Sequence, residues 1–245
     1  MSTTVTTGEL TGKTALVTGA TSGIGRATAI ALAALGADVI IHGRDAARAA
    51  RVIEEIELSG GRARFIGADL PVGASKLAHE AGDVDILVNN AGAAWFGPSE
   101  ELDTDTYHRL FAGNVEGAYL LTAQLAPGMV TRGEGAIVNV SSMAANIGMS
   151  GGAAYSATKA ALSSFTRSWA AEYSPKGVRV NAVAPGPIYT GAADDGLTTA
   201  LGETTLLGTA AQPEDIAETI AFLASPRSSY ITGAVVAVDG GRTAI

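Results

Sequence analysis

Tyr155 and Lys159 stand four residues apart in Tyr155-Ser156-Ala157-Thr158-Lys159, so on a helix both project from one face. A phenol with an ordinary pKa near 10 is a poor acid or base at neutral pH. A neighbouring ammonium favours the phenolate and would lower that pKa toward the range where general acid–base catalysis works. Ser142 closes Asn139-Val140-Ser141-Ser142, 13 residues earlier, where its hydroxyl could hydrogen-bond a substrate oxygen. Alone, Y-x-x-x-K is also the pattern of an ordinary helix with a surface lysine. Its value lies in the company it keeps.

That company is Thr18-Gly19-Ala20-Thr21-Ser22-Gly23-Ile24-Gly25, which follows a short apolar run and precedes an Ala-rich helical stretch. Glycines there let backbone approach a pyrophosphate closely, and a helix N-terminus offers free N–H groups and a positive dipole end. Gly19, Thr21, Ser22, Gly23, Ile24 and Gly25 are therefore candidate cofactor contacts; a ligand-free strand-to-helix turn is the plainer alternative. The spacing is not G-x-G-x-x-G, and no Lys follows Gly25, which excludes the phosphate loop of ATPases. The ribose is read at the end of the second strand, about 20 residues on. His42-Gly43-Arg44 stands there in place of an acid, and Arg44 suits a bidentate pair with a 2′-phosphate. The expectation is NADP(H). NAD(H) is the runner-up, because Asp45 either serves the ribose or caps the next helix.

These side chains need a scaffold that gathers strand ends. Short β-branched runs at Thr14–Val17, Val39–His42, Arg64–Ala68, Ile86–Asn89, Ala136–Val140, Val178–Ala184 and Val235–Val238 read as strands. Most are nearly all apolar, as strands buried on both faces should be. Helical periods fill Ile24–Leu35, Ala46–Leu58, Thr104–Met129, Ala154–Tyr173 and Glu214–Ala224, the last with Pro213 just ahead of it. This alternation predicts an α/β fold, a doubly wound, parallel, seven-stranded sheet with helices on both faces, Rossmann-like and single-domain over 9–245. Residues 1–8 read as a flexible tail.

Composition narrows the function classes. The 245 residues carry 16 Lys+Arg against 24 Asp+Glu, a net charge of −8, which argues against general binding to nucleic acid or anionic lipid. Cys 0 forbids a disulfide. No apolar run reaches the ~18 residues of a membrane span. The Thr-rich N-terminus lacks the basic and apolar stretches of an export signal, so the cytoplasm is expected. Charged residues at 16 % fall short of the roughly 25 % of typical domains, which suggests buried subunit contacts.

Together these residues resemble the short-chain dehydrogenase/reductase family over nearly the whole chain, Gly12 to Gly241. Thr18 to Gly25 matches its TGxxxGxG turn, and Asn89-Asn90-Ala91-Gly92 its NNAG. Tyr230-Ile231-Thr232-Gly233 and Val238-Asp239-Gly240-Gly241 are similar to the closing segment of bacterial members, β-ketoacyl-carrier-protein reductases included. The resemblance implies carbonyl–alcohol interconversion with NAD(H) or NADP(H) by a homotetramer. It implies that Ser142, Tyr155 and Lys159 form the catalytic trio, and that Asn114 kinks a helix and anchors a proton relay. It further implies that Asn90, Ala91 and Gly92 border the adenosine, that Asp69 and Leu70 contact adenine, and that Pro185, Gly186, Ile188 and Thr190 lie beside the nicotinamide. In that scheme Tyr155 passes a proton to the carbonyl oxygen as hydride leaves the nicotinamide. Lys159 lowers the tyrosine pKa and holds the ribose, and Ser142 positions the carbonyl.

The chain also departs from the family. Asp69 to Asn90 is only 21 positions, so the helix at Gly73–Ala81 should be short. The expected substrate lid, 190–207, is small and rich in Gly, Ala and Thr, which suggests mobility. Leu207-Gly208-Thr209 lacks the Arg often found there in carrier-protein reductases, and the net charge offers no basic surface for an acidic carrier. Trp95 and Phe96 are candidate pocket walls, with core packing as the alternative; Met143, Met149, Tyr189 and Leu197 are candidates by family analogy. Phe165 and Trp169 could join an Ala/Ser-rich helix interface between subunits. His42, His79 and His108 lack ligand spacing, so no metal is expected, and Asp194 with Asp195 reads as solvated. Three functions compete: an NADP(H)-dependent reductase or dehydrogenase of a small or medium apolar ketone or alcohol; an NAD-linked dehydrogenase of a sugar, polyol or hydroxysteroid; and a non-catalytic dinucleotide sensor. The complete Asn114, Ser142, Tyr155 and Lys159 set speaks against the sensor.

Overall fold

The computed structural model describes residues 8–191 and 195–245. Seven parallel strands form one sheet in the order β3-β2-β1-β4-β5-β6-β7. They are β1 (Thr14–Val17), β2 (Asp38–Gly43), β3 (Arg62–Gly67), β4 (Ile86–Asn89), β5 (Gly135–Val140), β6 (Val178–Pro185) and β7 (Val235–Val238). The helices are α1 (Gly23–Ala34), α2 (Ala46–Leu58), α3 (Ala74–Ala81), α4 (Thr104–Phe111), α5 (Gly117–Arg132), α6 (Ala153–Tyr173), α7 (Asp195–Gly202) and α8 (Pro213–Ala224).

Successive strand residues point to opposite faces, so both must be apolar where helices cover both sides. Val17, Ile41, Val88 and Val138 pack on one face with Leu32 of α1, Ile56 of α2 and Ile216 and Ile220 of α8. Their neighbours Leu16, Ile40, Leu87 and Ile137 pack on the other with Leu77 of α3, Leu121 and Met129 of α5 and Trp169 of α6. β3 lies at an edge, and its exposed Arg62 and Arg64 suit a strand that must not pair further. The strand order reverses between β1 and β4, which opens a crevice at their C-terminal ends.

Three elements differ from the sequence expectation. The helix expected over Thr104–Met129 is α4 and α5 joined by one wider, π-type turn at Ala112–Glu116, with Asn114 inside it. α7 forms within the Gly/Ala/Thr-rich stretch expected to be a small, mobile lid, where no helix was foreseen. Pro213 is the first residue of α8 rather than its prelude, and Gln212 with Asp215 closes a reciprocal capping box there. Residues 1–7 of the expected tail, and Asp194, lie outside the described residues. Among the described residues no helix is long and apolar enough to cross a membrane, and no three His, Asp or Glu side chains gather as metal ligands.

The end of α8 is held from β6. Arg179 donates to the carbonyls of Leu223, Ala224 and Ser225 and to the Ser228 hydroxyl, taking up oxygens the helix leaves unpaired. Burial of this guanidinium pulls its pKa below the usual arginine value. Arg179→Leu removes all four guanidinium bonds, leaving the Leu223 and Ser225 carbonyls only Ser228 as donor, and should cost about 2–4 kcal/mol, read from urea unfolding. An unchanged midpoint would show that water replaces the guanidinium at no cost.

Candidate active site

β1 runs directly into the glycine turn, and β4 runs into Asn90-Ala91-Gly92. Thr18 joins the two. Its hydroxyl accepts from the backbone N–H groups of Asn90 and Ala91, each at 2.9 Å, and donates to the Val88 carbonyl at 3.2 Å. The Asn90 amide donates back to the carbonyls of Thr18 and Gly19, at 2.8 and 3.2 Å. Both hydrogens of the Asn90 amide are thus spent on the fold.

The turn fits a pyrophosphate. Gly19 (φ +65°) and Gly23 (φ +51°) take the left-handed backbone that glycine alone adopts without strain. Ser22 at the N-cap of α1 makes no side-chain cap bond, and no acid stands in the first turn, so the N-terminal N–H groups face outward uncapped. A Cβ on Gly23 would stand 3.2 Å from Cβ of Thr190, which places the segment after β6 against the start of α1. Arg44 lies exposed 3.8 Å from Asp69, at the ends of β2 and β3. Asp45 caps α2, its carboxylate accepting from the Arg48 N–H at 3.0 Å. Leu70 packs against the start of α5 at Gly117.

A cavity of about 250 Å³ brings together Ile24 and Asn90, Gly92 and Ala93, Ser142, Tyr155, Lys159, and Pro185, Gly186, Ile188 and Thr190. Lys159 is buried, and its ammonium donates to the Val140 carbonyl at 2.8 Å, 5.8 Å from the centre of the Tyr155 ring. Burial lowers its pKa to about 8, so it still carries its proton at neutral pH. Burial also raises the Tyr155 phenol, against a weaker opposing hydrogen bond with the Ser142 hydroxyl. The lowering expected from Lys159 is absent here, because the ammonium is directed at a β5 carbonyl and desolvation of the phenolate dominates.

Asn114 is 1 % exposed, and its amide is fully engaged: Oδ1 accepts from the Ala93 N–H at 2.7 Å, and Nδ2 donates to the Ala93 carbonyl and the Thr158 hydroxyl. The π-type turn lets one residue reach both the loop after β4 and α6. Thr158, which sequence reasoning missed, returns its own hydrogen to the Tyr155 carbonyl at 2.7 Å. A threonine one turn from Tyr155 on the same helix was the available signal.

The substrate candidates divide. Phe96 stands edge-on to Tyr155, 5.3 Å between ring centres. Trp95 instead lines a separate cleft with Tyr107, Phe111 and Ala157, its indole occupying the space a side chain at Gly97 would fill. Met143 is buried in the single 3₁₀ turn after Ser142 and does not line the cavity. Met149 packs on Gly152 before α6, Leu197 is exposed on α7, and Tyr189 Oη lies 2.9 Å from Thr199 Oγ1 of α7.

Gly25 decides whether this corner closes. A Cβ there would collide with the Gly19 carbonyl and come within 2.5 Å of Asn90 Nδ2. Gly25→Ala should therefore part α1 from the loop after β4 and cost about 1–3 kcal/mol, measured by urea unfolding. Wild-type stability in this variant would mean the turn has slack.

Comparison with known proteins agrees with the geometry. A family model described as enoyl-(acyl carrier protein) reductase matches residues 19–243. The chain is 41 % identical to cis-4-hydroxycyclohexanecarboxylate dehydrogenase of Sinomonas cyclohexanicum, over 95 % of this chain and 97 % of that protein. A solved short chain dehydrogenase/reductase family protein superimposes with a TM-score of 0.89 at 48 % identity, over 97 % of this chain and 100 % of the other. The crystal structure of the angucycline C-6 ketoreductase LanV with bound NADP gives 0.90 at 35 % identity, over 97 % and 98 %. With a glycine turn, an NNAG loop and a Ser–Tyr–Lys cavity on one parallel sheet, this chain belongs to the short-chain dehydrogenase/reductase family of oxidoreductases.

Proposed function

We propose that the protein interconverts an uncharged small or medium ketone or aldehyde and the matching alcohol, with NADP(H) preferred over NAD(H). The observation that carries the reading is the single cavity where the phenol of Tyr155, the hydroxyl of Ser142 and the buried ammonium of Lys159 meet the segment Pro185–Thr190. The turn from Gly19 to Gly25, with Arg44, Asp69, Leu70 and Asn90–Gly92, would hold the dinucleotide, which supplies or accepts the hydride when bound. Ser142 holds the carbonyl oxygen beside the phenol. Burial keeps Tyr155 as the neutral acid, the form that gives its proton from Oη to that oxygen during reduction. Lys159, protonated at neutral pH, offsets the phenolate left behind. Asn114 braces α6 through Thr158.

Charge supports an uncharged substrate. No lysine or arginine occurs in 90–102, 142–154 or 185–207, and Lys159 is the sole cation lining the cavity among the described residues. Residues 190–207 serve as the lid of a single 9–245 domain, and exposed Tyr119 on α5 with half-buried Phe165 on α6 offers an aromatic face for the homotetramer, whereas Trp169, expected to join it, is buried beneath them within the subunit. The NAD-linked reading with Asp45 on the ribose is weaker, since that carboxylate already caps α2. The sensor reading leaves the four-residue constellation without a purpose.

The test is a panel of neutral ketones and alcohols alongside cis-4-hydroxycyclohexanecarboxylate, followed by absorbance of the reduced cofactor. Turnover should be highest on neutral members, and alcohol oxidation should rise with pH as the phenol ionises. Tyr155→Phe should lose about 10²–10⁴-fold in kcat while NADP affinity stays within about threefold. Faster turnover of the carboxylate than of cyclohexanol overturns the uncharged-substrate reading, and wild-type turnover by Tyr155→Phe overturns the mechanism. For Arg44→Ala we expect NADP affinity to fall by about tenfold with NAD affinity unchanged, a difference titration calorimetry reads directly; equal loss for both cofactors removes Arg44 from 2′-phosphate recognition.

A further inference from the structure

We infer that His42 is a positioning residue for the dinucleotide turn, and that it works only as the neutral imidazole protonated on Nε2. The inference rests on the dinucleotide reading above. His42 is 3 % exposed at the end of β2, wedged between the glycine turn and the end of β3. Its Nδ1 lies 3.3 Å from the backbone nitrogen of Gly19, and its Nε2 lies 3.2 Å from the Ala68 carbonyl. A backbone N–H only donates and a carbonyl only accepts, so one tautomer alone satisfies both: hydrogen on Nε2, lone pair on Nδ1. The Ala20 N–H also donates to the His42 carbonyl at 2.9 Å, and Gly43 next door would meet Thr21 if it carried a Cβ. Ring and backbone of His42 thus set the first glycine of the turn, where φ is +65°.

Protonation of Nδ1 would set two donors against each other across that short gap and push Gly19 out of place. Burial lowers the imidazole pKa below its ordinary value near 6.5; the hydrogen bond to Ala68 and the carboxylate of Asp69 oppose this. The other charged group nearby is Arg44, 3.8 Å from Asp69, while the turn brings only the uncharged Thr18, Thr21 and Ser22. The binding-competent form therefore holds at neutral pH and is lost as the pH falls through the lowered value. The turn is acid-sensitive through one ring.

NADP binding by titration calorimetry to wild type, His42→Asn and His42→Leu, from pH 8 to pH 5, tests this. Asn offers a carbonyl oxygen close to the Nδ1 position but cannot take up the proton. We expect His42→Leu to weaken NADP at least fivefold at pH 7.5 with kcat at saturating cofactor within twofold, and His42→Asn to bind within twofold of wild type. The ratio of wild-type to His42→Asn dissociation constants, which cancels titration of the cofactor itself, should rise at least threefold on acidification. A flat ratio overturns the inference, as does wild-type affinity in His42→Leu. If His42→Leu does not fold, by its thermal midpoint, the pH ratio decides alone. Should wild type bind neither NADP nor NAD, the dinucleotide reading falls and this inference with it; binding by wild type with a flat ratio sinks the inference only.

Discussion

The fold turns on one reciprocal knot between the ends of β1 and β4. Thr18 accepts two backbone N–H groups from the far strand's loop, and Asn90 donates two hydrogen bonds back to the turn. Strand order reverses here, so no crossover helix bridges these ends, and side chains must fix their separation. Buried polar groups at such a seam are costly unless each finds a partner, and here nearly every one does. The glycine turn, α1 and the loop toward Asn114 inherit their positions from it.

A second constraint is the burial of Lys159. An ammonium taken out of water needs compensating contacts, and Val140 supplies a carbonyl oxygen at 2.8 Å. Ser141 extends the attachment, its hydroxyl reaching the Lys159 carbonyl and Ser163. α6 is therefore stitched to β5 on either side of the strand end that carries Ser142. Farther from the cavity, Asn89, Asn139, Thr122 and Thr166 continue a polar seam between the sheet and the helices α5 and α6. The reacting side chains hang from a lattice of hydrogen bonds rather than from loops alone.

Much of this was legible in the sequence. Thr14–Val17 and Ile86–Asn89 coincide with β1 and β4, because strands covered on both faces leave an unbroken apolar signature, and Val235–Val238 coincides with β7, a half-buried edge strand that its three valines mark. The short α3 followed from counting residues between Asp69 and Asn90. What stayed hidden depends on three-dimensional proximity. Thr18, Thr158 and the carbonyl of Val140 carry no motif, and their partners lie far along the chain. His42 was set aside as a scattered histidine, since its contacts with Gly19 and Ala68 exist only once three strands align. α7 was missed because glycine and threonine are poor helix formers, and tertiary context overrides that preference. The tyrosine pKa was read from a neighbouring charge, whereas burial of the phenol raises it.

The outer wall of the cavity is attached differently from its floor. α7 meets the segment after β6 at a hydroxyl pair, Tyr189 with Thr199, while Phe96 leans on Tyr155 from the loop after β4, three residues beyond the Ala93 that Asn114 holds. Among the described residues, the hydrogen bonds of Thr18, Asn90 and Asn114 do not involve Tyr189 or Thr199. Side-chain exchange on α7 can accumulate without disturbing the reaction apparatus, so divergence among relatives should concentrate there, and grafting that helix is the natural route to redirecting selectivity.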